Sequence, residues 1–411
     1  MLKILPTLLF SFFFFNINAQ LTPEVTSWII NTTGETGYDG NETNVQQVQY
    51  SDDNVYVSCT CIPGYDIGPW VGNPNIPSNQ NFVYKITRHP EMNTGTFIET
   101  PMGHTGVWSN GVSIFNAKDG MSFENEGIWN QNAVVVEGIS FDECLGHPAP
   151  NGEYHHHLNP TCLYDDEDNL NHAPIIGFAF DGFPVYGAYA FANADGTGGI
   201  KRMVSSYQLR SIPDRTTLPD ETILSAGEYG PDISVAYPLG YYLEDFEYVA
   251  GLGDLDEHNG RFCITPDYPD GIYAYFITLD ENGDAAYPYT MGPEYYGNVP
   301  AGNTGPGSGH NTITESVETY VSIGNINEQQ IEIKVFPNPV SDYLYVFIEP
   351  VYQNNLKGSL TDISGRIIQS KENMQPGNTY TFDISDVSEG LYFLKLQNDT
   401  ADGLAKITVI K

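Results

Sequence analysis

GHPAPNGEYHHHLNPTC, residues 146–162, joins a turn signal to a short strand that carries three consecutive histidines. Four of the nine histidines in the chain fall within this stretch. Pro-Asn-Gly is a turn signal, and the EYHHHL that follows it predicts a strand with a period of two residues. His155 and His157 then share one face of the strand, with Cα atoms about 7 Å apart, and His156 faces the opposite side.

This His-x-His spacing is typical of a metal site, because two imidazoles on one strand face can bind one divalent ion at about 2.1 Å each. His147, just before the turn, and His172, just before an apolar run, are further candidate ligands. Asp142 and Asp181 are candidate carboxylate ligands. Three histidines with a carboxylate or a water suit Zn²⁺, and a histidine-rich site in an oxidising compartment also suits Cu²⁺. The alternative is a packed cluster in which the histidines stack on Tyr and Phe without metal.

Internal similarity links this stretch to a later one. FDECLGH…PNGEYHHHL (141–158) aligns with LDEHNGR…PDGIYAYFI (255–277) once five residues are inserted in the second copy. Both copies read Asp, Glu and Gly, then a Pro-Asn-Gly or Pro-Asp-Gly turn, then Tyr in the predicted strand. The similarity predicts two equivalent β-units within one domain. The second copy, YAYF at 273–276, carries no histidine.

Composition and charge limit the class of protein. The 411 residues include 28 Tyr, 21 Phe and 41 Gly, a balance that favours β-structure with many turns. The formal net charge is -36, and so negative a surface repels nucleic acid and anionic membranes. We therefore expect a mainly β protein that has no nucleic-acid partner.

The N-terminus predicts export. Lys3 precedes a short apolar run, Leu8 to Phe15, and Ala19 offers a small residue at the cleavage site, so residues 1–19 read as a Sec signal peptide. The run is too short to span a membrane, and no other stretch is apolar for long enough, so we expect no transmembrane anchor. Gln20 follows the predicted cleavage site where a bacterial lipoprotein would have Cys.

Five cysteines in an exported chain are expected to oxidise where geometry permits. Cys144 and Cys162 bracket the histidine strand and are predicted to pair. Cys59 and Cys61 lie on one face of a predicted strand, from which either could reach Cys263 with one thiol left over, and the sequence leaves the pairing of these three cysteines open.

The C-terminal part of the chain reads as a separate module. Residues 301–330 are rich in Gly, Asn, Thr and Ser and predict a linker, and alternating apolar runs over 331–411 predict a small immunoglobulin-like β-sandwich. FPNPVSDYL (336–344), LTDISGRII (360–368), SEGLYFLKL (388–396) and KITVIK (406–411) resemble the C-terminal sorting domain of the type IX secretion system of Bacteroidetes. The resemblance implies the type IX machinery as a partner, then surface attachment or release.

The central region resembles a second family. GVSIFNAKDG (111–120), WNQNAVVVE (129–137), SFDECLGHPAPNGEYHHHLNPTCL (140–163) and HAPIIGFAFDGFPVYG (172–187), together with 255–280, resemble the bacterial YHYH-domain proteins, which are named for a Tyr-His-Tyr-His tetrapeptide. This chain departs from that tetrapeptide at one Tyr, where it has His156. The family name describes a motif and implies no activity.

The domain organisation that follows is a signal peptide (1–19), an N-terminal β-rich segment (20–99) that joins the main domain, a duplicated YHYH-type domain (100–300), a linker (301–330) and a sorting domain (331–411). We expect a secreted or cell-surface protein that binds zinc or copper.

Two other classes of function remain. One is a metal-dependent extracellular enzyme, either a copper redox protein or a hydrolase with Glu143 or Glu153 as general base. The other is a protein that binds polysaccharide or the cell envelope through exposed aromatic side chains.

Overall fold

Short strands separated by turns are the main regular structure of this chain. The computed structural model describes residues 21–305, 307–321, 333–349, 355–362, 366–397 and 402–411. The predicted signal peptide and residues 322–330 of the predicted linker lie outside these described residues. The chain divides into two units, Met1–Val321 and Ser322–Lys411.

The described residues of the first unit include two single-turn α-helices, α1 (Pro23–Thr26) and α2 (Ala133–Val136), among many short strands. The strands described in this unit are β1 (Val45–Tyr50), β2 (Asn54–Cys59), β3 (Phe82–Thr87), β4 (Ile98–Glu99), β5 (His104–Trp108), β6 (Ser113–Phe115), β7 (Lys118–Ser122), β8 (Asn130–Asn132), β9 (Gly146–Pro148), β10 (Tyr154–His156), β11 (Ile175–Ala179), β12 (Pro184–Tyr186), β13 (Tyr189–Phe191), β14 (Ile200–Arg202), β15 (Tyr207–Leu209), β16 (Phe246–Tyr248), β17 (Gly260–Cys263), β18 (Ile272–Phe276), β19 (Glu294–Tyr295) and β20 (Glu318–Tyr320).

An eight-stranded sheet organises this unit, in the order β17-β18-β12-β11-β5-β6-β10-β9. Its two halves repeat the same pairings. In one half, hairpin β9–β10 is antiparallel and β10 runs parallel to β6. In the other half, hairpin β17–β18 is antiparallel and β18 runs parallel to β12. Antiparallel pairing of β5 with β11 joins the halves at the centre, so the internal similarity in the sequence corresponds to a duplicated arrangement of strands.

The residues shared by the two copies stabilise the same turn in each half. Asp142 Oδ1 accepts hydrogen bonds from the Gly146 amide (3.1 Å) and the Tyr154 hydroxyl (3.1 Å). In the second half, Asp256 Oδ1 accepts hydrogen bonds from the Gly260 amide (3.2 Å) and the Tyr273 hydroxyl (2.8 Å). A side chain at either glycine would clash with the tyrosine hydroxyl. The repeated Asp, Gly and Tyr are therefore a buried hydrogen-bonding unit that begins each hairpin.

A second sheet, β20-β1-β2-β3, contributes to the core of the first unit. Its valines, including Val48 and Val57, share one apolar cluster with Phe178 and Phe276 of the eight-stranded sheet. A second apolar cluster contains Trp108 and other side chains of the eight-stranded sheet. It lies on the opposite face of that sheet, because successive residues of a strand point to opposite faces. Strand β20 lies within the range predicted as linker, and it pairs with β1. The remaining strands of the unit form two-stranded sheets: β13–β14, β15–β16, β19–β4 and β7–β8.

The described residues of the second unit form seven strands of a β-sandwich, of the immunoglobulin-like kind that the sequence predicted. Its strands are β21 (Ile333–Phe336), β22 (Tyr343–Ile348), β23 (Leu356–Asp362), β24 (Ile367–Met374), β25 (Thr379–Asp383), β26 (Gly390–Gln397) and β27 (Asp402–Val409). They form sheets β21-β22-β25 and β24-β23-β26-β27. Alternate residues, such as Leu344 and Val346 or Leu394 and Leu396, are buried between the sheets. The terminal Lys411 ammonium donates to the carbonyls of Ser341, Ile384 and Ser385.

The described residues include no helix with the length and apolarity needed to cross a membrane.

Candidate metal centre

The histidine cluster is built on the β9–β10 hairpin. His147 on β9 pairs directly with His155 on β10, and the turn between them contains Gly152, whose φ of +83° is a conformation that favours glycine. His157 follows β10 two residues after His155, on the same face. The hairpin thus brings together one imidazole from its first strand and two from its second.

The three ligand nitrogens of this cluster converge. The distance from His155 Nε2 to His147 Nε2 is 3.1 Å, and that from His155 Nε2 to His157 Nε2 is also 3.1 Å. All three nitrogens lie within 4.8 Å of one another, and all three residues are buried. Nitrogens bound at about 2.1 Å to one tetrahedral ion lie roughly 3.4 Å apart, so the observed separations suit a shared ion.

Hydrogen bonds on the far side of each ring determine the tautomers. His155 Nδ1 donates to the Glu153 carbonyl (3.1 Å), and His157 Nδ1 donates to the Asn116 carbonyl (2.5 Å). The Ser140 hydroxyl donates to the Glu137 carbonyl (2.8 Å), so His147 Nδ1 donates to the Ser140 oxygen (2.7 Å). A neutral imidazole has one N–H, and each Nε2 therefore presents a lone pair to the other two. Metal-binding histidines are held in the same way.

Glu137 supplies a carboxylate beside the three nitrogens. Its Oε2 lies 3.2 Å from His157 Nε2 and 3.6 Å from His147 Nε2. Burial acts to raise its pKa, but the neighbouring His157 and His147 side chains act to lower it by more, so the pKa lies below its ordinary value. Glu137 directly follows α2, whose start is capped by the Asn132 side chain. A charged carboxylate is therefore available to balance a cation at this centre.

Aromatic side chains and burial complete the surroundings of the cluster. Phe115 stacks on the His155 ring with centroids 3.8 Å apart, and Phe141 lies edge-on to His147 at 4.8 Å. Burial lowers the pKa of His147 to about 4 and that of His155 well below its ordinary value. The His147 and His155 imidazoles therefore stay neutral near pH 7, which is the form that binds metal.

A cleft of about 540 Å³ opens onto the cluster. His147, His155 and His157 line it together with Glu137, and exposed Ile139 also lines it. Structural zinc sites are closed by four protein ligands, whereas catalytic sites keep one position open. The cleft gives this centre an accessible side.

His156 points away from the cluster, as the strand period predicted. Its ring lies 5.2 Å from the Tyr154 ring and 6.3 Å from the Trp108 ring, measured between centroids. Burial lowers the pKa of His156 to about 3. This histidine is thus part of the apolar packing on the opposite face of the sheet.

The other predicted ligands, Asp142, Asp181 and His172, lie outside the cluster of His147, His155 and His157. The Asp142 carboxylate accepts hydrogen bonds on the Tyr154 side of the hairpin. Asp181 accepts from the Tyr275 hydroxyl (2.6 Å), and burial raises its pKa to about 6. His172 lies against the Tyr186 ring, and its Nδ1 donates to the Ala173 carbonyl.

Neither predicted general base lies among the residues that form the cluster. Glu143 is exposed and does not line the cleft. The Glu153 carboxylate is buried and accepts hydrogen bonds from the Ser113 hydroxyl (2.5 Å) and from His104 Nδ1 (2.8 Å). Glu137 is the carboxylate that lies beside the histidine nitrogens, and no spacing rule links it to the histidines. His104, which pairs with Glu153, was also missed.

The second half of the duplicated sheet serves as an internal comparison. Arg261 and Ala274 form the pair that corresponds to His147 and His155. The Arg261 guanidinium lies 5.7 Å from the ring centroid of Phe276, the residue that corresponds to His157. The same hairpin is therefore stable without metal-binding side chains, so the fold alone does not require histidines here.

The predicted disulfide between Cys144 and Cys162 is present. The structure decides the pairing that the sequence left open, because Cys59, Cys61 and Cys263 are all buried free thiols. The Cys61 thiol is held by the Tyr154 carbonyl (3.1 Å), and Cys59 packs closely against Gly111.

Comparison with known proteins gives two family matches. Residues 83–287 match the family model described as YHYH protein, and residues 334–411 match the model described as secretion system C-terminal sorting domain. No curated protein matches the chain. The first match contains every residue of the candidate centre, and it leaves out β1 and β2, which lie in the same sheet as β3.

Proposed function

This chain is a YHYH-domain protein with a type IX sorting domain that directs it to the cell surface or the extracellular space, and we propose that its YHYH domain binds one divalent transition-metal ion there. The ligands are the Nε2 atoms of His147, His155 and His157, and Glu137 provides the adjacent negative charge. The sorting domain makes the type IX secretion machinery a partner during export.

One observation carries the proposal. Three Nε2 lone pairs face one another, with two separations of 3.1 Å, and each ring is held in that tautomer through its Nδ1 proton. Facing lone pairs repel, and a cation between them turns that repulsion into attraction. A proton shared within the cluster is the competing explanation, and it predicts no response to metal.

The test is metal content and thermal stability. Protein purified without chelators is analysed for zinc and copper, and its Tm is measured with and without added Zn²⁺ or Cu²⁺. We expect one ion per chain and a rise in Tm, since a ligand at about 100 times its Kd stabilises the folded state by about 2.7 kcal/mol. His155→Ala should abolish the rise.

His156→Ala is the matched control, because it removes an imidazole from the opposite face of the same strand. Its Tm without metal is expected to be lower, since His156 is fully buried. Its rise in Tm with metal should be retained. Absence of metal and of a Tm response in the wild-type protein would refute the metal centre and favour the shared proton.

The open cleft favours a second candidate function, a metal-dependent extracellular enzyme. An ion with three protein ligands keeps a position for water or substrate, and Zn²⁺ at such a site lowers the pKa of bound water to about 7. Zn²⁺ would support hydrolysis, and Cu²⁺ would support redox chemistry. Ester, amide and phosphoester hydrolysis and oxidase activity should be compared in metal-loaded wild-type protein and His155→Ala.

A further inference from the structure

A second cleft, of about 560 Å³, lies in the same unit as the candidate metal centre but is lined by a different set of residues. Lys118 lines both clefts, and Asn116, whose carbonyl holds the His157 ring, lines the second. The two clefts therefore adjoin each other at Lys118, the first residue of β7. The metal proposal uses no side chain from the second cleft.

Aromatic rings form one part of this cleft. Phe246 and Tyr287 stack with centroids 4.2 Å apart and planes 13° from parallel. Tyr207 and Tyr248 are cross-strand partners on β15 and β16, with ring centroids 5.7 Å apart. Phe246, Tyr207 and Tyr248 are only partly buried, so their rings present apolar surface to a ligand, while the Tyr207 hydroxyl donates to the Glu257 carbonyl (2.8 Å).

Carboxylates and one ammonium group form the polar part. Glu99, Asp220, Glu244 and Glu294 line the cleft, and Lys118 is the sole Lys or Arg among the described residues that do so. Asn130 holds Glu244 through its backbone amide and its side chain, both at 2.7 Å. Burial raises the pKa of Glu244 to about 7, so this group can donate as well as accept a hydrogen bond near neutral pH.

These features select the class of ligand. Four carboxylates against one ammonium exclude an anionic ligand. Partly exposed aromatic rings beside hydrogen-bonding groups of both kinds match a sugar ring, which has an apolar C–H face and a polar hydroxyl edge. We propose that the second cleft binds a neutral glycan chain. The proposal is independent of the metal centre.

Binding is measured by isothermal titration calorimetry with the full chain and hexameric cello-, laminari-, manno- and xylo-oligosaccharides. A cationic chitosan hexamer and an anionic alginate hexamer are the comparison ligands. Titrations are repeated with a chelator and with His155→Ala protein. We expect at least one neutral hexamer to bind, and its Kd to be unchanged by either treatment, which separates this cleft from the metal centre.

Substitutions locate the site. Tyr248→Ala should weaken binding of the neutral hexamer about tenfold or more, the scale of one lost stacking contact. Glu294→Gln keeps side-chain size and should also weaken binding if the carboxylate accepts a sugar hydroxyl. Tyr229→Ala is the matched control, since Tyr229 is 41% exposed and lines neither cleft. Its Kd should match that of the wild type.

Three results would overturn the proposal. The first is that no neutral hexamer binds. The second is that the chitosan or the alginate hexamer binds while the neutral chains do not. The third is that binding of a neutral hexamer is unaffected by both Tyr248→Ala and Glu294→Gln, which would place the glycan elsewhere on the protein.

Discussion

The Nε2 atoms of His155 and His157 lie 3.1 Å apart, while the Nδ1 atoms of the same two rings donate to the carbonyls of Glu153 and Asn116. The hydrogen bond from Nδ1 thus fixes the orientation of each ring, and the lone pair of its Nε2 is directed at the other ring. Two features that are separately ordinary, a strand period of two and a donated Nδ1 proton, together produce a site of concentrated negative potential inside the protein.

Glu137 should contribute to metal affinity through its charge. Glu137→Gln retains the size of the side chain but removes the negative charge 3.2 Å from His157 Nε2, so the Kd for Zn²⁺ should rise about 10–100-fold. Competition with a fluorescent chelator measures the change. Glu126→Gln is the control, because Glu126 is exposed and lines neither cleft. Equal affinities for the two variants would show that Glu137 plays no part in binding.

The metal-free protein should lose stability as the pH falls from about 6.5 to about 4. Burial lowers the pKa of His147 to about 4 and that of His156 to about 3 in the folded state, whereas the unfolded chain titrates near 6.5. The unfolded state therefore binds more protons across this window, and stability decreases with decreasing pH.

Tm is measured by circular dichroism from pH 7.5 to 4 in the presence of a chelator. His156→Asn should flatten the dependence of Tm on pH, whereas His89→Asn should not, because the His89 side chain is 68% exposed. A Tm that stays constant from pH 7.5 to 4.5 would contradict the expected cost of protonating the buried imidazoles.

The ion pair between Arg215 and Asp245 should be essential for stability. Both side chains are fully buried, with Arg215 Nε 2.7 Å from Asp245 Oδ1 and Arg215 Nη2 2.8 Å from Asp245 Oδ2. Arg215→Met leaves an unpaired buried carboxylate and should lower the free energy of unfolding by about 3–5 kcal/mol in urea denaturation. Lys201→Met, which breaks the more exposed pair with Asp254, should cost at most about 1 kcal/mol. Similar losses in both variants would be inconsistent with this ranking.

The numbers of free and disulfide-bonded cysteines can be measured by alkylation. Alkylation in denaturant without reductant should modify Cys59, Cys61 and Cys263, and alkylation after reduction should modify all five cysteines, as mass spectrometry can show. Reduction should lower the free energy of unfolding by about 3 kcal/mol, because the bond closes a short loop. Modification of all five cysteines without reductant would rule out the disulfide.

The sorting domain should be dispensable for folding and necessary for delivery. Residues 1–321 form a unit of their own, so a chain that ends at Val321 should retain the near-ultraviolet circular dichroism of the folded YHYH domain. It should nevertheless accumulate in the periplasm of a type IX-competent host, as fractionation and immunoblotting would show. Surface delivery of this truncated chain at the level of the full-length protein would contradict the role of the domain.

The sequence was sufficient wherever the relevant contacts are local. A Pro-Asn-Gly turn and a period of two place His155 and His157 on one face and His156 on the other, because both rules act within a few residues. Cys144 and Cys162 flank one turn-strand unit, and their pairing was predicted on that ground. The duplicated β-units and the C-terminal sandwich follow from repeated patterns of turns and apolar residues, which are also local.

Only the tertiary structure decided which distant groups meet the histidines. Glu137 reaches them from the end of a single-turn helix, and the Asn116 carbonyl reaches them from beyond a neighbouring strand. Asp142 and Asp181 have the right chemistry, but buried tyrosine hydroxyls and backbone amides already occupy their oxygens. Sequence spacing determines on which face of a strand each side chain lies. The packing of separate segments against that face decides which carboxylate is already hydrogen-bonded elsewhere and which one lies beside the imidazoles.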